Sequence, residues 1–290
     1  MQDAARPSSP RGVPLPGGLS RVALWTAAAH AAEQTRERPY VSDPWAGDFL
    51  RAARVAGGPP GDGPLQRMLP DWAVVRSRFF DEYLLDAARS GCRQVVLLGA
   101  GLDTRAFRLD WPAGVRVFEV EDPALLAFKE HVLDWAPPTC GRRGTVGVAP
   151  VGAWTEELCA VGFDPGRPTA WLAETLLYHL PPREAESVAA TMTELSAPGS
   201  VFGAECVGAE TVASPAVTPF LDALAATGVT WRWRTAEPER WWAERGWTAT
   251  AADLLTLPYV VERLAPYLPV LGEAATRTVF LTTGRLGAPR

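Results

Sequence analysis

Three observations predict an α/β fold with a doubly wound, mostly parallel seven-stranded sheet and a helical cap ahead of it. From Val95 onward, short apolar runs alternate with helical segments, the pattern of a parallel sheet with helices on both faces. The first run, Val95 to Leu98, is wholly apolar and partly β-branched, as expected of a central strand buried on both sides. It ends in Gly99-Ala100-Gly101, where missing side chains let another group approach the backbone, and Glu119-Val120-Glu121 follows twenty residues past Gly101.

Residues 1–18 are rich in proline and glycine with little apolar periodicity, which predicts a disordered tail. Ser20 can cap a helix through about Arg36, with Val22, Trp25, Ala29 and Ala32 near one face. Asp43 begins a second helix. The run from Gly57 to Pro64 is a flexible break read as a surface loop. Asp71 caps a third helix through about Arg89, which Gly91 ends. These helices form the cap (19–90), and residues 91–290 form the α/β domain. Strands are predicted near 95–98, 115–120, 145–149, 169–173, 200–206, 247–251 and 277–283. Asp103 and Thr104 are good caps for a helix starting at Arg105.

The glycine turn and the acid pair together suggest a nucleoside cofactor. Carboxylates at the carboxyl end of the next strand are placed to accept hydrogen bonds from ribose hydroxyls. A dinucleotide fingerprint needs a third glycine over the pyrophosphate, but Thr104 holds that place, and no Gly-Lys-Ser/Thr phosphate loop occurs. A nucleoside without phosphates fits best, and S-adenosylmethionine is the common one. A nucleotide, or a strand-turn-helix with no ligand, stays open on spacing alone.

Bulk properties narrow the class. The chain of 290 residues is 47% apolar, enough for one large α/β domain. A net charge of −5 without a basic tract argues against a nucleic-acid binder. No apolar run approaches a membrane span, and the amino terminus lacks the apolar core of a signal peptide. The four cysteines (Cys92, Cys140, Cys159, Cys206) and three histidines are scattered without metal-ligand spacing, so no metal site is expected. Buried free thiols in a reducing cytoplasm are the reading.

The block Gly99-Ala-Gly-Leu-Asp-Thr-Arg105, followed by Ala106-Phe-Arg-Leu109, resembles the leucine carboxyl methyltransferase family, and within it the actinobacterial S-adenosylmethionine-dependent branch. Further matches are Phe118-Glu-Val-Glu-Asp-Pro123 with Lys129, Gly162-Phe-Asp-Pro165, Pro168-Thr-Ala-Trp-Leu-Ala-Glu174 and Pro198-Gly-Ser200. Thr26-Ala-Ala-Ala-His-Ala-Ala-Glu33 and Asp43-Pro-Trp-Ala46 belong to the same pattern, and the likeness spans roughly residues 20–285. It implies the Rossmann-like fold of class I methyltransferases.

By this resemblance, Gly99, Gly101 and Asp103 border the cofactor, while Glu121 holds its ribose with Glu119 nearby. Glu121 stands where the family has aspartate. Arg78 matches the arginine that meets the methionine carboxylate, a task suited to a bidentate guanidinium, although Arg76 is not separable from it by eye. Glu174, ending an apolar strand, matches the acid that contacts the methionine part. Three departures stand out. Ala149, followed by Pro150 and Val151, replaces the aspartate that reads the adenine amino group. His30 stands where related chains often carry arginine. His179, in Thr175-Leu-Leu-Tyr-His-Leu180, takes the place of an expected tyrosine. A lone histidine is more often a packed core residue, but a free one suits a general base near neutral pH.

Twelve tryptophans, among them Trp231, Trp233, Trp241 and Trp242, are read mainly as packing, with some as walls for a planar substrate. The expected activity is O-methyl transfer from S-adenosylmethionine to a carboxylate or acidic hydroxyl of a small natural-product-like molecule. The rivals are a cyclase or lyase on the same fold, a protein carboxyl methyltransferase, and a binding module without catalysis.

Overall fold

The computed structural model describes residues 20–54, 58–149, 152–215, 217–267 and 279–287. The predicted tail, the start of the Gly57–Pro64 break, Pro150, Val151 and the first two residues of the last predicted strand lie outside them.

Three helices precede the sheet: α1 (Ser20–Glu33), α2 (Ala46–Ala53) and α3 (Pro64–Arg89). Their starts differ from expectation. Ser20 is already helical, α1 stops at Glu33, and Ala32 is exposed while Leu24 and Ala27 are buried. Asp43 does not begin α2; it is buried, with its carboxylate on His30 and the Trp45 N–H. Helix α3 begins at Pro64 rather than Asp71, because proline at a helix's first position lacks only an N–H that would have had no partner. Pro70 inside it forfeits one hydrogen bond without ending the helix. Asp71 is therefore interior to α3, and Arg36, Arg263 and Tyr267 donate to its carboxylate.

The rest alternates: β1 (Gln94–Leu98), α4 (Arg105–Arg108), β2 (Arg116–Glu121), α5 (Pro123–Leu133), β3 (Arg142–Gly147), α6 (Thr155–Ala160), β4 (Thr169–Ala173), α7 (Pro182–Glu194) and β5 (Val201–Val207). Then come α8 (Ala209–Ala213), α9 (Thr218–Ala226), α10 (Pro238–Ala243), β6 (Trp247–Ala251), α11 (Pro258–Leu264) and β7 (Val279–Leu286). The sheet has seven strands in the order β3-β2-β1-β4-β5-β7-β6. The first five in that order run parallel, and β7 is antiparallel to both β5 and β6. This is the mostly parallel, doubly wound seven-stranded sheet that the sequence predicts. Strand β3 lies at Arg142–Gly147 rather than 145–149, since its buried positions alternate with polar ones.

Strand β1 shows why the apolar run is continuous. Val95 and Leu97 join the core on one face of the sheet, with Phe80 and Leu84 of α3. Val96 and Leu98 join the core on the other, with Trp171 and Leu158. Alternate side chains leave opposite faces of a strand, so both sides demand apolar residues. Chain order reverses between β1, which continues outward to β2, and β4, which continues to β5. The crevice beyond the carboxyl ends of such neighbours is where open α/β sheets bind ligands.

Candidate active site

At that crevice lies a cavity of about 390 Å³ bordered by the loop after β1, the end of β2, the end of β4, and helices α1 and α3. Gly99 and Gly101 have φ of 64° and 48°, a region that L side chains rarely adopt. A Cβ on Gly99 would meet Leu176 at 3.0 Å, and one on Gly101 would meet Ala23 at 3.2 Å. The loop is held to β2 by the Gly99 and Ala100 N–H groups, which donate to the Val120 carbonyl. Gly101 N–H also donates to Glu121 Oε2 at 2.6 Å, and Asp122 N–H to Glu121 Oε1 at 2.7 Å. Burial pushes the Glu121 carboxyl up, against these two backbone bonds. Asp103 accepts from the Arg105 N–H at 2.7 Å and pairs with its guanidinium, so it caps α4 as expected. Thr104, the cap position itself, makes no side-chain capping bond.

The cavity also borders a buried charge cluster. Arg105, 2% exposed, pairs with Asp81 at 2.6 Å, Glu174 at 2.7 Å and Asp103. Arg76 Nε pairs with Glu174 Oε1 at 2.6 Å, and its Nη1 lies 3.4 Å from Glu205 Oε2. Burial would raise the Glu174 carboxyl, but the charges of Arg105 and Arg76 hold it down at about 2. Ser77 Oγ lies 2.9 Å from His30 Nε2, and His30 Nδ1 lies 3.0 Å from Asp43. The Ser77 hydroxyl, on a residue 1% exposed, also donates to Glu174 at 3.4 Å, which links His30 and Asp43 to the cluster. Five carboxylates (Asp43, Asp103, Glu121, Asp122, Glu174) line the cavity against three guanidiniums (Arg76, Arg105, Arg108).

Two expected contacts move. Arg78 points away from the cavity: it pairs with Glu82 at 2.9 Å and sits over the rings of Tyr40 and Tyr259. Arg76 faces the cavity instead, about 200° away around the helix. Glu119 is fully buried beneath α5, bonded to Lys129 at 2.7 Å and to Arg143 at 2.9 and 2.7 Å, and does not line the cavity. It lies inside the strand, whereas Glu121 is at its end. Ala149 lines the cavity, and Pro150 lies outside the described residues.

A second cavity of about 160 Å³ adjoins, with Val22, Thr26, Arg76 and Thr175 lining both. Its walls are mostly apolar and include Trp25, Trp72 and Trp231. Trp233, Trp242 and Trp247 are instead buried in the core. His179 lines this second cavity from a short 3-10 turn (Leu177–His179). Its Nδ1 is 3.0 Å from the Thr230 carbonyl, while Nε2 is buried without a hydrogen-bond partner. Burial, with Arg76 nearby, lowers its pKa to about 4, so the expected titration near neutrality does not hold.

Sequence reasoning missed Glu205, which is 1% exposed and accepts from Trp72 Nε1 at 2.8 Å and from the Tyr178 hydroxyl at 3.1 Å. One acid inside the apolar strand Val201–Val207 was a legible signal. It also missed Thr175, whose φ of 54° is unusual for a β-branched residue. The Thr175 N–H and hydroxyl both donate to Glu205, which holds this conformation. Cys159 is exposed, while Cys92, Cys140 and Cys206 are buried; all four are free. Among the described residues, no cluster of three or more His, Cys, Asp or Glu could hold a metal, and no helix is long and apolar enough to cross a membrane.

The family model described as leucine carboxyl methyltransferase matches residues 23–193. A relative from Parafrankia sp. is 39% identical over 94% of each chain. One from Saccharopolyspora erythraea is 43% identical over 66% of this chain and 68% of its own. Both carry the name "Putative S-adenosyl-L-methionine-dependent methyltransferase". A solved structure from Thermobifida fusca, also named as a putative methyltransferase, is similar in fold with a TM-score of 0.55, at 17% identity over 94% of this chain and 96% of its own.

Proposed function

The chain belongs to the leucine carboxyl methyltransferase family, and from that premise we propose that it transfers the methyl group of S-adenosylmethionine to an oxygen of a small natural-product-like molecule in the cytoplasm. S-adenosylmethionine is its cofactor. The observation that carries the reading is an acid-rich cleft on the Gly99–Thr104 loop abutting a separate apolar cavity.

The cleft residues fit this cofactor. Gly99 and Gly101 keep the loop backbone bare where it borders the cleft, and a Cβ on either would press on Leu176 or Ala23. An excess of carboxylates suits a net cation and opposes a pyrophosphate. Glu121 would hold the ribose, while Arg76, braced by Glu174, would face the methionine carboxylate. When bound, the cofactor supplies a methyl made electrophilic by a sulfonium. The apolar walls of the second cavity would position the acceptor and exclude water, so alignment is the protein's main contribution.

Calorimetric titration with S-adenosylmethionine and S-adenosylhomocysteine tests the reading: both should bind, and binding of neither would sink it. Glu121→Ala should weaken S-adenosylhomocysteine about tenfold or more, because a hydrogen bond to a charged group contributes about 1.5–3 kcal/mol. Unchanged affinity would remove Glu121 from the site. At Ala149, which offers adenine no polar side chain, Ala149→Asp should tighten S-adenosylmethionine severalfold, about 1 kcal/mol for one net hydrogen bond. A variant no tighter than wild type would mean that another group already reads the base.

A further inference from the structure

The second cavity constrains the acceptor more narrowly than methyl transfer to oxygen does. A carboxylate leaving water for an apolar chamber needs a cation to meet it. Among the described residues lining this cavity, the guanidinium of Arg76 is the only cation, and it lies between Glu174 at 2.6 Å and Glu205 at 3.4 Å. The other charged residues there, Glu205 and Asp253, are acids. His179 does not supply a positive charge, because burial holds its pKa down to about 4. The described residues lining this cavity thus carry a net negative formal charge and offer no free cation of their own to a carboxylate.

His179, which lines this cavity, carries a buried acceptor without a partner. A carbonyl oxygen only accepts hydrogen bonds, so the contact from His179 Nδ1 to Thr230 O requires the proton on Nδ1. Nε2 is then an unprotonated acceptor, and it is buried with no partner on a residue only 7% exposed. A buried polar atom without a partner is costly unless something completes it. An engineered apolar cavity of about 150 Å³ holds benzene, so a volume of about 160 Å³ suits one aromatic ring with a short apolar tail.

Resting on the methyl-transfer reading, we infer that the acceptor is a neutral, largely apolar ring compound whose hydroxyl donates to His179 Nε2, and that free carboxylates are excluded. His179 is a specificity-determining residue, and Trp25, Trp72 and Trp231 form part of the apolar wall.

Three probes differing only in headgroup test this without cofactor: 4-propylphenol, 4-propylbenzoate and propylbenzene, titrated by calorimetry at pH 7.5. The phenol should bind about fivefold or more tighter than propylbenzene, as one added hydrogen bond allows, and tighter still than the benzoate. His179→Phe should erase the phenol's advantage over propylbenzene while propylbenzene itself still binds. His179→Gln, which keeps an acceptor oxygen, should restore part of it. Melting curves and S-adenosylhomocysteine affinity check that the variants are folded. A benzoate that binds as tightly as the phenol, a phenol preference that survives His179→Phe, or failure of all three probes to bind would overturn the inference. Titration of S-adenosylmethionine in parallel separates the two readings. Phenol selectivity without cofactor binding defeats only the methyl-transfer reading, and cofactor binding with benzoate preference defeats only the acceptor assignment.

Discussion

Gly101→Val is expected to abolish S-adenosylhomocysteine binding while leaving a folded protein. Three features of the loop converge on this position. Its φ of 48° is one that valine adopts only under strain. A Cβ there would lie 3.2 Å from the Ala23 side chain and 4.0 Å from Glu121 Oε2. The Gly101 N–H also anchors the Glu121 carboxylate at 2.6 Å, so a displaced loop would misplace the group assigned to the ribose. Two further carbons would add to the crowding against Ala23, so the loop or α1 must shift. Affinity should fall at least about a hundredfold, the sum of a lost charge-assisted bond and a strained, displaced loop, each on the order of 1–3 kcal/mol. Gly101→Ala, with one carbon instead of three, should show an intermediate loss. Calorimetry alongside a melting curve reads both effects. A folded valine variant within tenfold of wild type would show that the ligand does not use this loop.

What the sequence discloses follows from how locally each feature is encoded. The continuous run Val95–Leu98 and the glycines after it are self-contained signals, and they mark both the central strand and the cavity's floor. Arg76 and Arg78 could not be separated, because residue type is identical and only the packed face of α3 decides between them. That face is set by Val75 and Phe80, which join the sheet core. The Glu119–Glu121 pair has the same character: both are acids in β2, but Lys129 and Arg143 claim the inner one. Strand β3 misled because Arg143 interrupts the apolar pattern, although its guanidinium is spent on Glu119. Least legible are the buried networks. His30 meets Ser77 across 47 residues and Trp72 meets Glu205 across 133, so their polar side chains look unpartnered until the chain is folded.

The cluster around Arg105 should carry the largest stability effect. Its guanidinium is 2% exposed and is shared by Asp81, Asp103 and Glu174, the last of which it helps hold at about 2. Such a network contributes little relative to an apolar replacement of the whole set, but removing one partner strands the others. Arg105→Met keeps most of the side-chain volume and leaves Asp103 and Glu174 short of a counter-charge, while Arg108 still neutralises Asp81 and Arg76 still meets Glu174. The expected loss at pH 7.5 is about 3–5 kcal/mol, read from urea denaturation. The pH dependence separates electrostatics from packing. In the wild type, a Glu174 pKa held below its ordinary 4.5 stabilises the fold above that pH, and the contribution is lost as pH falls from about 4.5 towards 2. In the variant, burial without Arg105 should push the stranded carboxyls up, so they take protons well before the wild type does. Protonation relieves the uncompensated charge, and the stability gap between the two proteins should narrow between pH 7.5 and 5. A gap that stays constant over that range would mean the loss is one of packing, and that the cluster does not hold Glu174 ionised.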